Sequence, residues 1–85
     1  MSTFSTLMRR ADMMRRIEID PVRADWWTGY MRGLRRAHHG NGFGTEAEHE
    51  LFHSAAESEN LRRATLGRGY QAGLKLEPCD PPENL

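Results

Sequence analysis

One pattern occurs twice in this chain, as Gly29-Tyr30-Met31-Arg32-Gly33-Leu34 and as Gly69-Tyr70-Gln71-Ala72-Gly73-Leu74, each followed by a base, Arg35 and Lys75. Glycine in a helix interior costs up to about 1 kcal/mol relative to alanine, so glycines at i and i+4 need a packing or recognition reason. On a helix they fall on one side, one turn apart. They leave a strip free of side chains, where another helix can approach more closely than Leu or Ile would allow while the adjoining Tyr lies along it. Two strips forty residues apart in a chain of 85 predict that the helices bearing them cross at their glycines. Trp26, Tyr30, Tyr70 and Leu74 would wall that contact. The other use of such a strip is to receive a partner's helix, a nucleotide sugar or a second copy of the chain, which would make a homodimer.

The spacing of apolar residues supplies the helices. Phe4, Leu7, Met8, Ala11, Met14 and Ile17 recur at three and four, with Arg9, Arg10, Asp12, Arg15 and Arg16 between them, and predict an amphipathic helix. Asp20 before Pro21 is a helix start, because an N-cap oxygen is followed by a residue whose missing N–H the first turn does not need. That second helix runs to about His39, where Gly40 can take a left-handed stop. Val22, Trp26, Gly29, Tyr30, Gly33, Leu34 and Ala37 are expected on its inner side, and Asp25, Thr28, Arg32, Arg35, Arg36 and His39 on its outer side. Gly40-Asn41-Gly42-Phe43-Gly44 reads as a loop pinned by one aromatic. Thr45 and Glu48 form a capping box opening a third helix that fades near Ser58. Leu61 to Leu76 is the fourth, and the acidic, Pro-rich residues 77–85 read as a disordered tail. The expected architecture is all-α: one domain of three to four helices over residues 1–76, its core made by Leu7, Met14, Trp26, Tyr30, Phe43, Phe52, Leu66 and Tyr70.

Charge is segregated along the chain. Twelve bases balance twelve acids, but four successive segments carry +4, −5, +4 and −3, which predicts complementary helix faces or a two-signed surface. That balance argues against a generic polyanion binder and leaves local basic faces. Arg32, Arg35, Arg36 and His39 form one candidate stripe, Arg9 and Arg10 with Arg15 and Arg16 a second, and Arg62 with Arg63 a third. A chain this short buries only about 60% of its unfolded surface and has little room for an elaborate cleft. No nucleophile stands at legible spacing from a base, so no enzymatic activity is expected. Cys79 is the only cysteine and forms no internal disulfide, and no apolar run reaches membrane-spanning length, so the chain reads as cytoplasmic with no membrane partner.

His49-Glu50-Leu51-Phe52-His53 spells H-E-x-x-H, which on a helix sets two imidazoles one turn apart as zinc ligands. His49 and His53 are therefore candidate metal ligands, with Glu57, His38 or His39 as a third. Without a strand or a cleft, the pattern points to structural zinc or to a plain polar face more than to a protease. No other cofactor is implied.

Two resemblances bear on function. Arg68-Gly69-Tyr70-Gln71-Ala72-Gly73, together with Trp26, Gly29 and Tyr30 as W-x-x-G-Y, resembles the helical signatures of ribosome modulation factor. That likeness implies RNA binding through Arg32, Arg35, Arg36, Arg68 and the two tyrosines. Trp27-Thr28-Gly29-Tyr30-Met31-Arg32-Gly33-Leu34-Arg35-Arg36, with Phe43-Gly44-Thr45 and Glu48-His49, is similar to short uncharacterised proteins of phages and integrative elements. What it implies is a small non-catalytic inhibitor that blocks a host protein or nucleoprotein complex, as anti-CRISPR proteins do.

Overall fold

The computed structural model describes residues 3–83 and 85. Met1, Ser2 and Asn84, which the domain and tail assignments above include, lie outside the described residues. Four helices follow in order: α1 Thr3–Ile17, α2 Pro21–His39, α3 Glu46–Ser54 and α4 Leu61–Gly73, with 3-10 turns at Gly40–Gly42 and Ala55–Glu57. Among the described residues there is no strand, and the class is all-α. The starts of α2, α3 and α4 each have a local cause. The Asp20 carboxylate accepts the Val22 N–H at 2.9 Å with Pro21 in the first turn. The Thr45 hydroxyl accepts the Glu48 N–H at 3.1 Å, and the Asn60 side chain accepts the Arg63 N–H at 3.0 Å. Gly40 ends α2 at φ 60°, a backbone angle costly for a residue with a Cβ.

The four repeat glycines are where α2 meets α4. A Cβ built on Gly29 would lie 1.9 Å from the Leu66 carbonyl oxygen, and one on Gly33 would lie 2.1 Å from that of Tyr70. In return, a Cβ on Gly69 would lie 2.1 Å from the Trp26 oxygen and one on Gly73 2.1 Å from the Tyr30 oxygen. These contacts interchange when forty is added to or taken from the residue number, so the near-repeat is a pseudo-twofold seam. Partner numbers rise together along both helices, so α2 and α4 run parallel. Backbone packs on backbone, with Cα–H groups facing carbonyl oxygens. The seam is filled by the chain itself, so neither strip is open to a second copy or to a nucleotide sugar. Gly67 makes a fifth close approach, to Ala56 N at 2.2 Å from its would-be Cβ, and so seats the second 3-10 turn on α4.

Away from α4, the far side of α2 packs on α1. Leu7 and Ala11 join Trp26, Trp27, Tyr30, Met31 and Leu34 in one buried cluster, with Phe4, Met8 and Met14 partly buried against it. The single inner stripe expected for α2 is therefore too narrow. Trp27 and Met31 are buried, and so is Arg36, which shares the angular sector of Gly29 and Gly33 instead of the outer face. Within the expected core, Leu7, Trp26, Tyr30 and Tyr70 are buried, whereas Met14, Phe43, Phe52 and Leu66 are only half-buried. Thr65 is fully buried and returns its hydroxyl to the Leu61 carbonyl at 2.8 Å. Ile17, at the last position of α1, stands exposed.

The tail departs from expectation as well. Leu76, at φ 54°, turns the chain out of α4. Leu76, Cys79 and Leu85 pack against the core cluster, and Pro81 is buried. Composition alone suggested disorder because the segment has little apolar area of its own. It is ordered by docking on a surface that the helices provide.

Candidate functional site

Folding draws much of the segregated charge into internal pairs. Arg36 joins Glu46 and Asn41 at 2.9 Å each and reaches the Phe43 carbonyl at 3.4 Å, so it staples the loop after α2 to the start of α3. Arg32 approaches Glu48 at 3.9 Å and lies over the Phe52 ring, 4.4 Å from its centroid, with its buried Nε lacking a hydrogen-bond partner. Arg62 grips Asp25 with two donors, at 2.6 and 3.1 Å. Arg10 pairs with Asp80, and Arg15 and Arg16 pair with Asp12. Among the bases proposed to bind a partner, Arg9, Arg35 and Arg63 form no ion pair among the described residues, and Arg35 lies 5.9 Å from the Phe43 ring centroid. His39 is exposed at the end of α2, edge-on to Phe4 at 5.6 Å, while His38 stacks on Phe4 at 4.0 Å. The three stripes do not survive as continuous basic faces.

His49 and His53 share one side of α3, with ring centroids 5.8 Å apart. Nδ1 of His49 is 2.6 Å from the Tyr70 hydroxyl and is committed to it. Among the described residues no group of three His, Cys, Asp or Glu side chains is placed to hold a metal ion. Glu57, His38 and His39 are thus not brought to the pair as a third ligand. The geometry gives His49 another task, completing the hydrogen bonding of a buried phenol.

Both tyrosines of the repeat are buried with the hydroxyl engaged, Tyr30 on the Glu77 carbonyl at 2.6 Å and Tyr70 on His49. Neither ring is available to stack on a nucleic-acid base. Burial holds both phenols above their ordinary value, against the opposing pull of Arg10 on Tyr30 and of Arg36 and Arg32 on Tyr70. A raised value means that folding favours the neutral phenol. The stability this contributes is fully present below pH 10 and is lost as pH climbs through the folded values. Alkaline titration followed by tyrosinate absorbance should place both midpoints above the ordinary value, with ionisation accompanied by loss of helical circular dichroism. Two phenols titrating normally in folded protein would contradict this burial.

One apolar surface left open lies between α3 and α4, apart from the exposed Met13, Ile17 and Ile19. Leu51, Phe52 and Ala55 from one side and Leu66 from the other line an open groove of about 370 Å³, with Asp25, Arg62 and Arg63 at its rim. It exists because α3 is short and buries none of its side chains completely. Leu51 is 62% exposed. Arg62 is held by Asp25, which leaves the exposed Arg63 as the groove charge without an ion pair among the described residues. Sequence reasoning named Arg62 and Arg63 as partner-binding residues and assigned Phe52 and Leu66 to the core, but passed over Leu51. The available signal was the spacing of Leu51, Phe52 and Ala55, one short apolar arc on a helix with too little length to bury it.

Compared with protein-family models, with curated proteins and with solved structures, the chain matches none.

Proposed function

We propose that the protein is a non-catalytic docking protein that binds a host protein or nucleoprotein complex and obstructs it, the role implied by the resemblance to phage and integrative-element proteins and shared by anti-CRISPR inhibitors. The observation that supports this reading is the groove between α3 and α4, a concave apolar surface with charged residues beside it. Exposed apolar surface of this kind, with a polar rim, is characteristic of protein contact sites. Leu51 would insert as the anchor, and Arg63 would meet a carboxylate of the partner. Arg9, Arg35 and His39 extend the basic character elsewhere on the domain. Ribosomal RNA is the weaker reading, since Tyr30, Tyr70 and Arg36 are all buried.

Leu51→Asp tests this directly. The side chain is exposed, so the change should move stability by less than about 0.5 kcal/mol. Loss of a central anchor should weaken binding by about 2 kcal/mol or more, roughly thirtyfold. The expected result is a host complex, identified by mass spectrometry, that co-purifies with the unaltered protein and is lost with Leu51→Asp. Equal recovery by both chains would exclude the groove.

A further inference from the structure

Residues 77–83 have the composition of a free tail yet lie against α1 and α2, and the donors that hold them are specific. The Tyr30 hydroxyl donates to the Glu77 carbonyl at 2.6 Å, Arg10 to the Cys79 carbonyl at 3.3 Å and Arg23 to the Pro82 carbonyl at 3.1 Å. Arg10 also pairs with the Asp80 carboxylate. These contacts mostly address main-chain carbonyls of a segment with no helix or strand of its own up to Pro82. Carbonyl recognition is indifferent to side-chain identity. Selectivity falls to one carboxylate and to Pro78, Pro81 and Pro82, which favour an extended chain and carry no N–H to satisfy.

The receiving groups are fixed without the tail's help. The Arg10 guanidinium lies over the Trp27 ring, 5.3 Å from its centroid. Arg23 is held by Glu18 at 2.8 Å. Tyr30 is clamped by Trp26, stacked at 5.2 Å, and by Trp27, edge-on at 5.7 Å. Donors set on a rigid helical body lose little freedom on binding. The tail, in contrast, reaches them only through Leu76 in a left-handed conformation disfavoured for L residues, a cost that a separate segment does not carry.

We propose that Arg10, Trp27, Tyr30 and Arg23 form a recognition site for an extended, acidic, proline-containing protein segment, and that residues 77–83 occupy it in cis. The tether gives the tail a high effective concentration, so an incoming segment binds by displacing it. This site shares no residue with the groove between α3 and α4 and goes beyond the function proposed for that groove.

The test uses full-length protein and a capped peptide of residues 77–83 with Cys79 replaced by serine, followed by NMR at the Trp27 indole and the Arg10 guanidinium. Asp80→Lys sets a like charge against Arg10 and weakens the tail's hold without touching the receiving groups. The Arg10–Asp80 pair is half-exposed, so its loss should leave the fold intact. The peptide should bind Asp80→Lys at least about tenfold more tightly than the unaltered chain. Binding should vanish in the double variant that adds Arg10→Gln, and weaken as salt rises from about 0.05 to about 0.5 M. Equal affinity for both chains, no saturable change at Trp27, or binding indifferent to Arg10→Gln would each overturn the proposal. Leu51→Asp should leave this titration unchanged, so failure of the groove reading and failure of this one are separately visible.

Discussion

Gly33→Ala should separate α2 from α4. The added methyl would lie 2.1 Å from the Tyr70 carbonyl oxygen and 3.0 Å from the Gly73 Cα, both backbone atoms of a helix that cannot fold away. Alanine recovers about 1 kcal/mol of helix propensity, but parting two helices along their seam costs more. The net loss should be about 3 kcal/mol or more, a fall in Tm of roughly 12 to 25 °C for a domain of this size. Gly42→Ala is the control, because a Cβ there meets nothing within 4 Å and its φ is not positive. Gly29→Ala combined with Gly69→Ala should cost less than the two single effects added, since the first methyl already parts the helices. Thermal melts of these variants decide the matter. A Gly33→Ala protein as stable as Gly42→Ala would mean that the seam does not form.

Trp27→Ala carries the second large effect. The side chain is 1% exposed, edge-on to both Trp26 and Tyr30, and roofed by Arg10. Emptying such a site costs about 3 to 5 kcal/mol through lost transfer and the cavity left behind. Against the 5 to 15 kcal/mol typical of whole domains, that is a large share of the total. Urea unfolding should show a midpoint far below that of the parent, whereas Ile19→Ala, at a position 95% exposed, should match the parent within about 0.5 kcal/mol. A Trp27→Ala midpoint equal to that of Ile19→Ala would show that α1 does not cover this side of α2.

These two residues also mark where the sequence is legible and where it is not. The glycine seam is readable because it is written twice, and helix interiors tolerate glycine only for a reason. The helix starts at Asp20 and Thr45 are readable because capping is local chemistry, complete within four residues. Trp27 is not readable from a periodicity that assumes one buried face. A helix packed on both sides buries more than half its circumference, and only tertiary contact reveals that. Arg36 misleads for the opposite reason: its charge suggests solvent, while its angular position puts it beside Gly33, where Asn41 and Glu46 make burial tolerable. The tail is illegible for a third reason, since Cys79, Pro81 and Leu85 find cover only on the helical body, where Arg10, Arg23 and Tyr30 supply donors to its main chain. Of the groove, the charged rim is visible in the sequence, but its apolar floor depends on how far α3 falls short of covering α4.

The parallel course of α2 and α4 also fixes an order of events in folding. Successive helices in simple bundles are antiparallel and zip up across short connections. Here every contact of the glycine seam joins residues some forty positions apart, and none can form until the crossover through α3 has closed. Formation of the seam therefore has to close a loop of some forty residues. The crossover that carries the proposed docking groove is also the tether on which that closure depends, so a partner gripping Leu51 would pull on the connection that keeps the two glycine helices in register.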